Sequence, residues 1–504
     1  MTLVTGAPVA VFRADAAPGL GGGHVMRCLA LAQSLAESGW VSVFAGSPET
    51  IETVPAISRL GHAWIEISAG VESEASALRS RMPQGCDAII VDHYGRDADF
   101  ESACRGWAAQ IFVIEDIPGR AHDCDFLLDP TPGKEPGDYA GLVPRGSRLL
   151  LGPNYALLRS QFAAARAPAL ARRADCPKLS RVFVNLGATD PSNLTSVVLA
   201  GIAASGLSLS VDVALGSAAP HVAAVQECAQ KLGTNARVHV DVADIAALMA
   251  AADLAVGAAG SGSFERCCVG LPSLIVVAAD NQRQVAAALV EAGAVVSLGE
   301  GSDLRPDRVA AAVRDFVMNE SALLKFSKCA AALCDGRGAP RAAIMLASEH
   351  AADGIDVTLR PATLADGAIM LEWQQHPTTR RFARNPAVPA EAEHRAWLER
   401  KLTDPGTLFS IVLHGADPAG VLRLDRTARD QAAYEVSILI DPEKRGLGLG
   451  KAALKLAARL APEAELFAEV HPDNAASNSL FASAGFRRAN GAFRHGPLRS
   501  EART

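Results

Sequence analysis

Short apolar runs alternate with helix-like segments through the first 350 residues, and they do so in two separate blocks. In the first block, residues 9–12, 41–44, 88–91 and 111–114 are nearly continuous in Val, Ile, Phe and Ala. Runs of that length and composition suit strands buried on both faces of a parallel sheet. A Gly-rich turn and a helical pattern over 24–37 follow the first run. The second block places strand-like runs at 182–186, 207–213, 238–240, 254–256 and 274–277, with helical patterns at 222–232, 245–251 and 284–292 between them. Parallel strands need crossover connections, so each block reads as its own βαβ sheet. The stretch 151–178, with its Ala/Arg-rich centre at 162–173, reads as the linker between blocks. Helical patterns at 305–317, 320–334 and 340–352 close the second block.

From residue 355 the order changes. A strand at 357–360 leads into helical segments, including 391–401, and then strands at 409–413, 419–424 and 435–440. A Gly-rich turn, a helix at 451–460, a strand at 466–470 and a helix at 476–484 complete an α+β pattern. The expected division is therefore 1–160, 161–352 and 355–497.

Composition narrows the functional classes. Apolar residues at 49% and charged residues at 20% exclude disorder as the main state. With aromatics at 5%, the cores must rest on Ala, Val and Leu. Lys and Arg number 48 against 55 Asp and Glu, a net charge of −7, so no basic excess exists to neutralise a nucleic-acid backbone. The first thirty residues lack a continuous apolar segment, and residues 196–220 are interrupted by Ser205, Gly206, Ser208, Ser210 and Asp212. Neither an export signal nor a membrane span is expected. All ten cysteines lie between Cys28 and Cys334, with no Cys-x-x-Cys pair, and the adjacent Cys267 and Cys268 cannot form an ordinary disulfide. Free thiols in a reducing cytoplasm, with no metal site, are the expectation.

Three Gly-rich turns carry candidate chemistry. Gly21, Gly22 and Gly23 precede His24 where a strand passes into a helix. The turn matches neither a P-loop nor the dinucleotide fingerprint. An imidazole there, titrating near 6.5, can act as a base at neutral pH, or it can cap the helix. In the second block, the polar turn 185–190 contains Gly187, and Ser261, Gly262 and Ser263 open a helix. Their backbone amides can cradle a diphosphate. Glu265 can accept from ribose hydroxyls or simply sit favourably in a first turn. Asn281 and Gln282, after the run 274–277, can read a sugar or cap a helix. These turns all follow parallel strands, where open α/β sheets bind ligands. In the last block, Arg445, Gly448 and Gly450 fit R-x-x-G-x-G, with Gly446 between them and Lys451 opening the helix. Amides of such a loop bind a pyrophosphate.

The segments RADAAPGLGGGHVMRCLALAQSL, VDHYG, EDIPGRAHDCDFLLD, LLGPNYALLRSQF, NLGATDPSNLT and AAGSGSFERCCVGLPSLIVVAADNQ together resemble the UDP-sugar hydrolase family of pseudaminic acid biosynthesis, over about residues 8–350. The resemblance implies two Rossmann-like, glycosyltransferase-B-like lobes with the ligand between them. It implies His24 as the catalytic base, Tyr94 and Asn281 near the sugar, and Arg13, Asp15, Gly22 and Gly23 in the substrate site. The implied reaction is hydrolysis of UDP-2,4-diacetamido-2,4,6-trideoxy-β-L-altropyranose with inversion, without a metal. Glu115-Asp116 stands where the family more often has Asp-Asp.

Residues 355–495 resemble the GCN5-related N-acetyltransferase family, through the Gly-rich turn and the later sequence Asn474-Ala-Ala-Ser477-Asn-Ser-Leu-Phe481-Ala-Ser-Ala-Gly485-Phe486. The resemblance implies acetyl-CoA as co-substrate. Arg445, Gly446, Gly448 and Gly450 would lie on the pyrophosphate and Asn474 near the CoA arm, with Ile440, Lys451, Ser477 and Phe481 also in the cofactor site. Many members carry a tyrosine acid where this chain has Phe481, so another group or water does that job, or the module is slow or inactive. Glu435, Glu469 and His471 are candidates for the base. Residues 384–400, with His394 and Trp397, look like the early helical region of the pathway's own acetyltransferase. The expected protein acetylates the 4-amino group of a UDP-sugar and then removes UDP. Fusion of consecutive steps raises the local concentration of the intermediate. A glycosyltransferase, a non-catalytic CoA-binding module and a legionaminic acid isomer are the alternatives.

Overall fold

Continuous apolar runs become the central strands of two parallel sheets. The structure, a computed structural model, describes residues 6–67, 73–175, 178–231, 235–404, 406–427, 433–462 and 464–497. The first sheet comprises β1 (Val9–Ala14), β2 (Val41–Gly46), β3 (Ala63–Glu66), β4 (Cys86–Asp92), β5 (Ala108–Ile114), β6 (Phe126–Asp129) and β7 (Arg148–Leu151). Its order is β3-β2-β1-β4-β5-β6-β7, parallel throughout. Alternate residues Val9, Val11, Val43, Ile89, Val91, Ile111 and Val113 share one core cluster with Leu78 and Cys104. That period of two is what a pleated strand imposes.

The second sheet contains β8 (Arg181–Asn185), β9 (Ser210–Leu215), β10 (Ala236–Val240), β11 (Leu254–Ala258), β12 (Ser273–Val277) and β13 (Val295–Glu300), in the parallel order β10-β9-β8-β11-β12-β13. In both sheets the first strand has the second strand on one side and the fourth on the other. Such a switch point opens a crevice at the carboxyl ends of the strands.

The expected linker is a helix. Ser160–Asp175 is helical, and its Phe162 is fully buried in the core of the second lobe. Arg166 donates to the carbonyls of Cys268, Ala331 and Cys334, and Arg173 donates to those of Val269, Met249 and Ala252. Those carbonyls lie at the C-terminal ends of three helices, where a guanidinium satisfies orphan acceptors and meets the negative end of the dipole. An Ala/Arg-rich stretch looks like a solvated spacer because this use of arginine depends on partners distant in sequence.

The chain forms two compact units, Met1–Ala342 and Ala343–Thr504. The second contains β14 (Glu349–His350), β15 (Asp356–Pro361), β16 (Thr407–His414), β17 (Asp417–Arg426), β18 (Ala433–Ile440), β19 (Glu465–Ala468), β20 (Arg487–Ala489) and β21 (Ala492–His495). Their order is β14-β15-β16-β17-β18-β19-β21-β20, antiparallel except for β18 with β19. The helix expected over 340–352 ends at Leu346, and residues 349–350 pair with β15. Glu349 also binds Lys455 and Arg459 of the helix Leu449–Leu460. This end of the second lobe therefore belongs to the last sheet.

One buried ionic cluster makes the first lobe sensitive to alkali. His122 lies between Glu101 (2.8 Å) and Glu115 (3.3 Å), all three with side chains at most 1% exposed. Burial opposes its charge, but the two carboxylates outweigh burial and raise its pKa to about 9. A raised pKa gives stability that is complete below the unfolded value near 6.5 and lost as pH rises through about 9. Denaturant titrations at pH 6.5 and 9.5 are expected to differ by about 2–3 kcal/mol more for the native chain than for His122→Gln. Equal pH dependence in both would remove His122 from this role.

Candidate functional site

The carboxyl ends of β1, β4 and β5 carry two adjoining charge networks. In one, Arg27 donates to both oxygens of Asp92, each at 2.6 Å, and to Asp116 at 2.8 Å. The Tyr94 hydroxyl donates to the other Asp116 oxygen at 2.7 Å. Asn281, from the second lobe, donates its amide to that hydroxyl at 3.0 Å. His24 is the second residue of the helix Gly23–Ala36, its ring edge-on to Tyr94 at 4.8 Å between centroids. Its Nδ1 is buried without a hydrogen bond, 3.8 Å from Asp92 Oδ1. Burial is the largest influence on His24 and lowers its pKa, against the opposing pull of Asp92. The ring is therefore neutral at pH 7, in the form that can accept a proton.

The other network engages residues expected to meet substrate. Arg13, 2% exposed, binds Glu74 at 2.9 Å and Asp15 at 3.0 Å. Asp15 also accepts from Ser47 N–H at 2.8 Å and lies 3.0 Å from His93 Nε2. Arg96 closes the network on Glu74. Both Arg13 and Asp15 are thus bound to partners within the lobe.

Two glycines at the start of the helix Gly23–Ala36 lie close to their neighbours, Gly22 within its own lobe and Gly23 against the other. A Cβ at Gly22 would stand 2.9 Å from Val54 Cγ2, and one at Gly23 would stand 3.4 Å from Ser261 Oγ. The second lobe's turn thus comes up to the start of the first lobe's helix. In that second lobe, Gly187 follows β8 at φ +111°, a conformation that favours glycine. Ser261 precedes the helix Gly262–Cys268. Ser263 is buried and turned inward, accepting from Arg266 at 2.9 Å. Glu265 lies 3.8 Å from Arg159, and burial raises its pKa. Gln282 accepts from Ala278 N–H at 3.0 Å, bracing its own loop.

Sequence reading missed Arg27, Asp92, Asp116 and Arg266. A signal existed for three of them. Asp92 ends an apolar run, Asp116 closely follows another, and Arg27 stands three residues after His24 on one helix face.

In the second unit, β18 and β19 pair only from Ala433↔Glu465 to Glu435↔Phe467 and then separate. Gly448, at φ +79°, precedes the helix Leu449–Leu460. A Cβ at Gly450 would stand 3.0 Å from Leu480 and 3.6 Å from Ile440, so those three residues meet. Gly446 precedes them at φ +88°. Arg445 binds Thr378 at 2.7 Å and Thr379 at 3.3 Å, while Lys451 is exposed. Asn474 caps the helix Ala475–Ser483 by accepting from Ser477 N–H at 3.1 Å. Phe481 is 4% exposed and packs against Phe486 and Phe493 at centroid distances of 5.1 and 5.7 Å. It is a core ring here. Glu435 and Glu469, flanking the separation, both bind Arg384, at 2.5 and 2.8 Å. His471 packs beside Phe382, and His394 beside Trp397. Among the described residues, no helix is long and apolar enough to cross a membrane, and no group of three or more His, Cys, Asp or Glu is arranged to hold a metal.

Residues 356–487 match the acetyltransferase (GNAT) domain family, and residues 181–339 match the glycosyltransferase family 28 C-terminal domain. Over 240 residues the chain is 27% identical to a UDP-2,4-diacetamido-2,4,6-trideoxy-beta-L-altropyranose hydrolase of Campylobacter jejuni, covering 47% of this chain and 80% of that protein. It is 27% identical over 338 residues to the spore coat polysaccharide biosynthesis protein SpsG of Bacillus subtilis, covering 65% and 94%. Among solved structures, MurG of Acinetobacter baumannii aligns at 15% identity with a TM-score of 0.48, covering 67% and 98%. The family and sequence matches support one chain that joins a sugar-nucleotide hydrolase-like region to an N-acetyltransferase domain.

Proposed function

We propose that the chain acetylates UDP-4-amino-4,6-dideoxy-N-acetyl-β-L-altrosamine from acetyl-CoA and hydrolyses the resulting UDP-2,4-diacetamido-2,4,6-trideoxy-β-L-altropyranose. The observation that carries the hydrolytic half is His24: neutral at pH 7, set against Tyr94, and adjacent through Gly23 to the Ser261 turn. In this reading His24 takes a proton from water, whose oxygen attacks the anomeric carbon. The anomeric C–O bond breaks, and its electron pair leaves with UDP. Configuration inverts because entry and departure occur on opposite faces. Backbone amides of the 260–263 turn hold the diphosphate, Glu265 the ribose, and Tyr94 and Asn281 the sugar.

In the acetyltransferase half, the amine attacks the thioester carbonyl and the CoA thiolate departs. Glu435 or Glu469 takes the ammonium proton, directly or through water. The opening between β18 and β19 admits the pantetheine arm, and the amides of 446–450 take the pyrophosphate. The burial of Phe481 supports a proton donor elsewhere for the thiolate, and it equally favours a second reading in which this module only binds CoA.

A mass-spectrometric time course with the 4-amino UDP-sugar and acetyl-CoA tests the whole. Acetylated UDP-sugar, followed by free diacetamido sugar and UDP, is the expected result. Hydrolysis of pre-acetylated substrate without any acetylation would sink the transferase half. UDP release only when a sugar acceptor is added would replace hydrolysis by glycosyl transfer.

A further inference from the structure

Arg166, half-buried, and Arg173 and Arg266, both buried, differ in what surrounds them in the second lobe. Arg166 and Arg173 each donate to carbonyls at helix C-termini, where a cation is favoured. Arg266 is placed otherwise. It is 1% exposed, and its side chain runs back toward the start of its own helix. There Nη2 donates to Ala258 O at 2.8 Å and Ser263 Oγ at 2.9 Å. Its Nε is buried with no partner. A Cβ at Gly257 would meet Arg266 Nη1 at 2.5 Å, and one at Gly262 would meet it at 3.4 Å. The guanidinium therefore lies between the end of β11 and the 260–263 turn, in space that two glycines leave open.

No ion pair to Arg266 occurs among the described residues, and its neighbour Glu265 faces Arg159. Burial lowers the Arg266 pKa to about 10, so the group is charged at neutral pH. Its nearest carboxylate, Glu265, acts on it only through space and is shared with Arg159; a buried cation so weakly compensated is costly, and the positive end of a helix worsens its position. An anion at the turn relieves both effects.

We propose that Arg266 is the positioning residue of a diphosphate site, its charge acting from behind the 260–263 turn to set that turn's affinity for the diphosphate of a nucleoside diphosphate. The proposal rests on the UDP-sugar reading above and adds to it a source of charge that does not touch solvent. A cation under the turn acts in low dielectric, where its pull on a diphosphate is stronger than from an exposed side chain. It also lies on the leaving-group side of the reaction, where negative charge grows as UDP departs.

Calorimetric titration of the whole chain with UDP and with uridine is the test. Arg266→Met is expected to weaken UDP by about 30-fold and uridine by less than about threefold. Arg266→Lys is expected to regain most of the UDP affinity at pH 7. That affinity is then expected to decline relative to the native chain as pH rises to 9, because a lysine buried there titrates below its usual value. Equal weakening of UDP and uridine by Arg266→Met would make the residue a turn support only and overturn the proposal, as would unchanged UDP affinity. If the methionine variant does not fold, the lysine variant decides: a UDP-to-uridine ratio that follows the native chain from pH 7 to 9 overturns the proposal. Failure of the native chain to bind UDP would overturn the UDP-sugar reading itself.

Discussion

Replacing His24 with alanine is expected to lower UDP release from the diacetamido UDP-sugar by about 10²–10⁴-fold, with CoA release unchanged. The size follows from removing the only step-specific proton acceptor the reading assigns. The pH profile gives an independent check. Burial lowers the His24 pKa, so its basic form persists below the ordinary value near 6.5. The acid limb of kcat/KM in the native chain should therefore fall below pH 6.5 and vanish in the variant. Equal loss of both activities would indicate unfolding. Retained hydrolysis would remove His24 from the mechanism.

Asp92→Ala should produce the largest loss of stability, about 3–5 kcal/mol. Asp92 is 1% exposed and accepts two hydrogen bonds from Arg27, itself 8% exposed, and one from the Cys28 thiol. Arg27 holds the Asp92 carboxylate ionised against the cost of burial. Removing it leaves a buried guanidinium with Asp116 as its remaining ion pair. Asp116→Ala should cost clearly less, because Arg27 then keeps its bidentate partner. Hydrogen-exchange mass spectrometry on peptides covering β1, β4 and β5 measures this in the lobe concerned. Protection within about 1 kcal/mol of native in Asp92→Ala would show that the pair contributes little.

Much of this could be read in the sequence, for reasons that particular residues make clear. The run at 9–12 followed by three glycines and His24 signals a strand, a turn and a helix because each is local. The same holds for Ala433–Ile440 passing into Gly446, Gly448 and Gly450. The short strands β3, β6 and β7 were not legible, being four residues long and without an apolar/polar alternation to mark them. The helix Ser160–Asp175 was hidden because its arginines find carbonyls some 80 to 170 positions away. Long-range pairing also concealed Arg27 with Asp92, 65 residues apart. Phe481 illustrates the reverse case. Its motif position suggested a ligand contact, but its neighbours Phe486 and Phe493 place it in a core.

The Tyr94 hydroxyl donates to Asp116 and accepts from Asn281, so without substrate it already has a partner in each role. A sugar hydroxyl or amide that reaches Tyr94 or Asn281 must therefore exchange a bond, not add one, and the net gain there is close to zero. Because the bond exchanged is one between lobes, the ligand becomes the link that it displaces. In the proposed reading, affinity then comes from the nucleotide end, and a sugar that replaces the Asn281 contact restores one hydrogen-bonded link between the lobes beside that of Lys134 to Gln284.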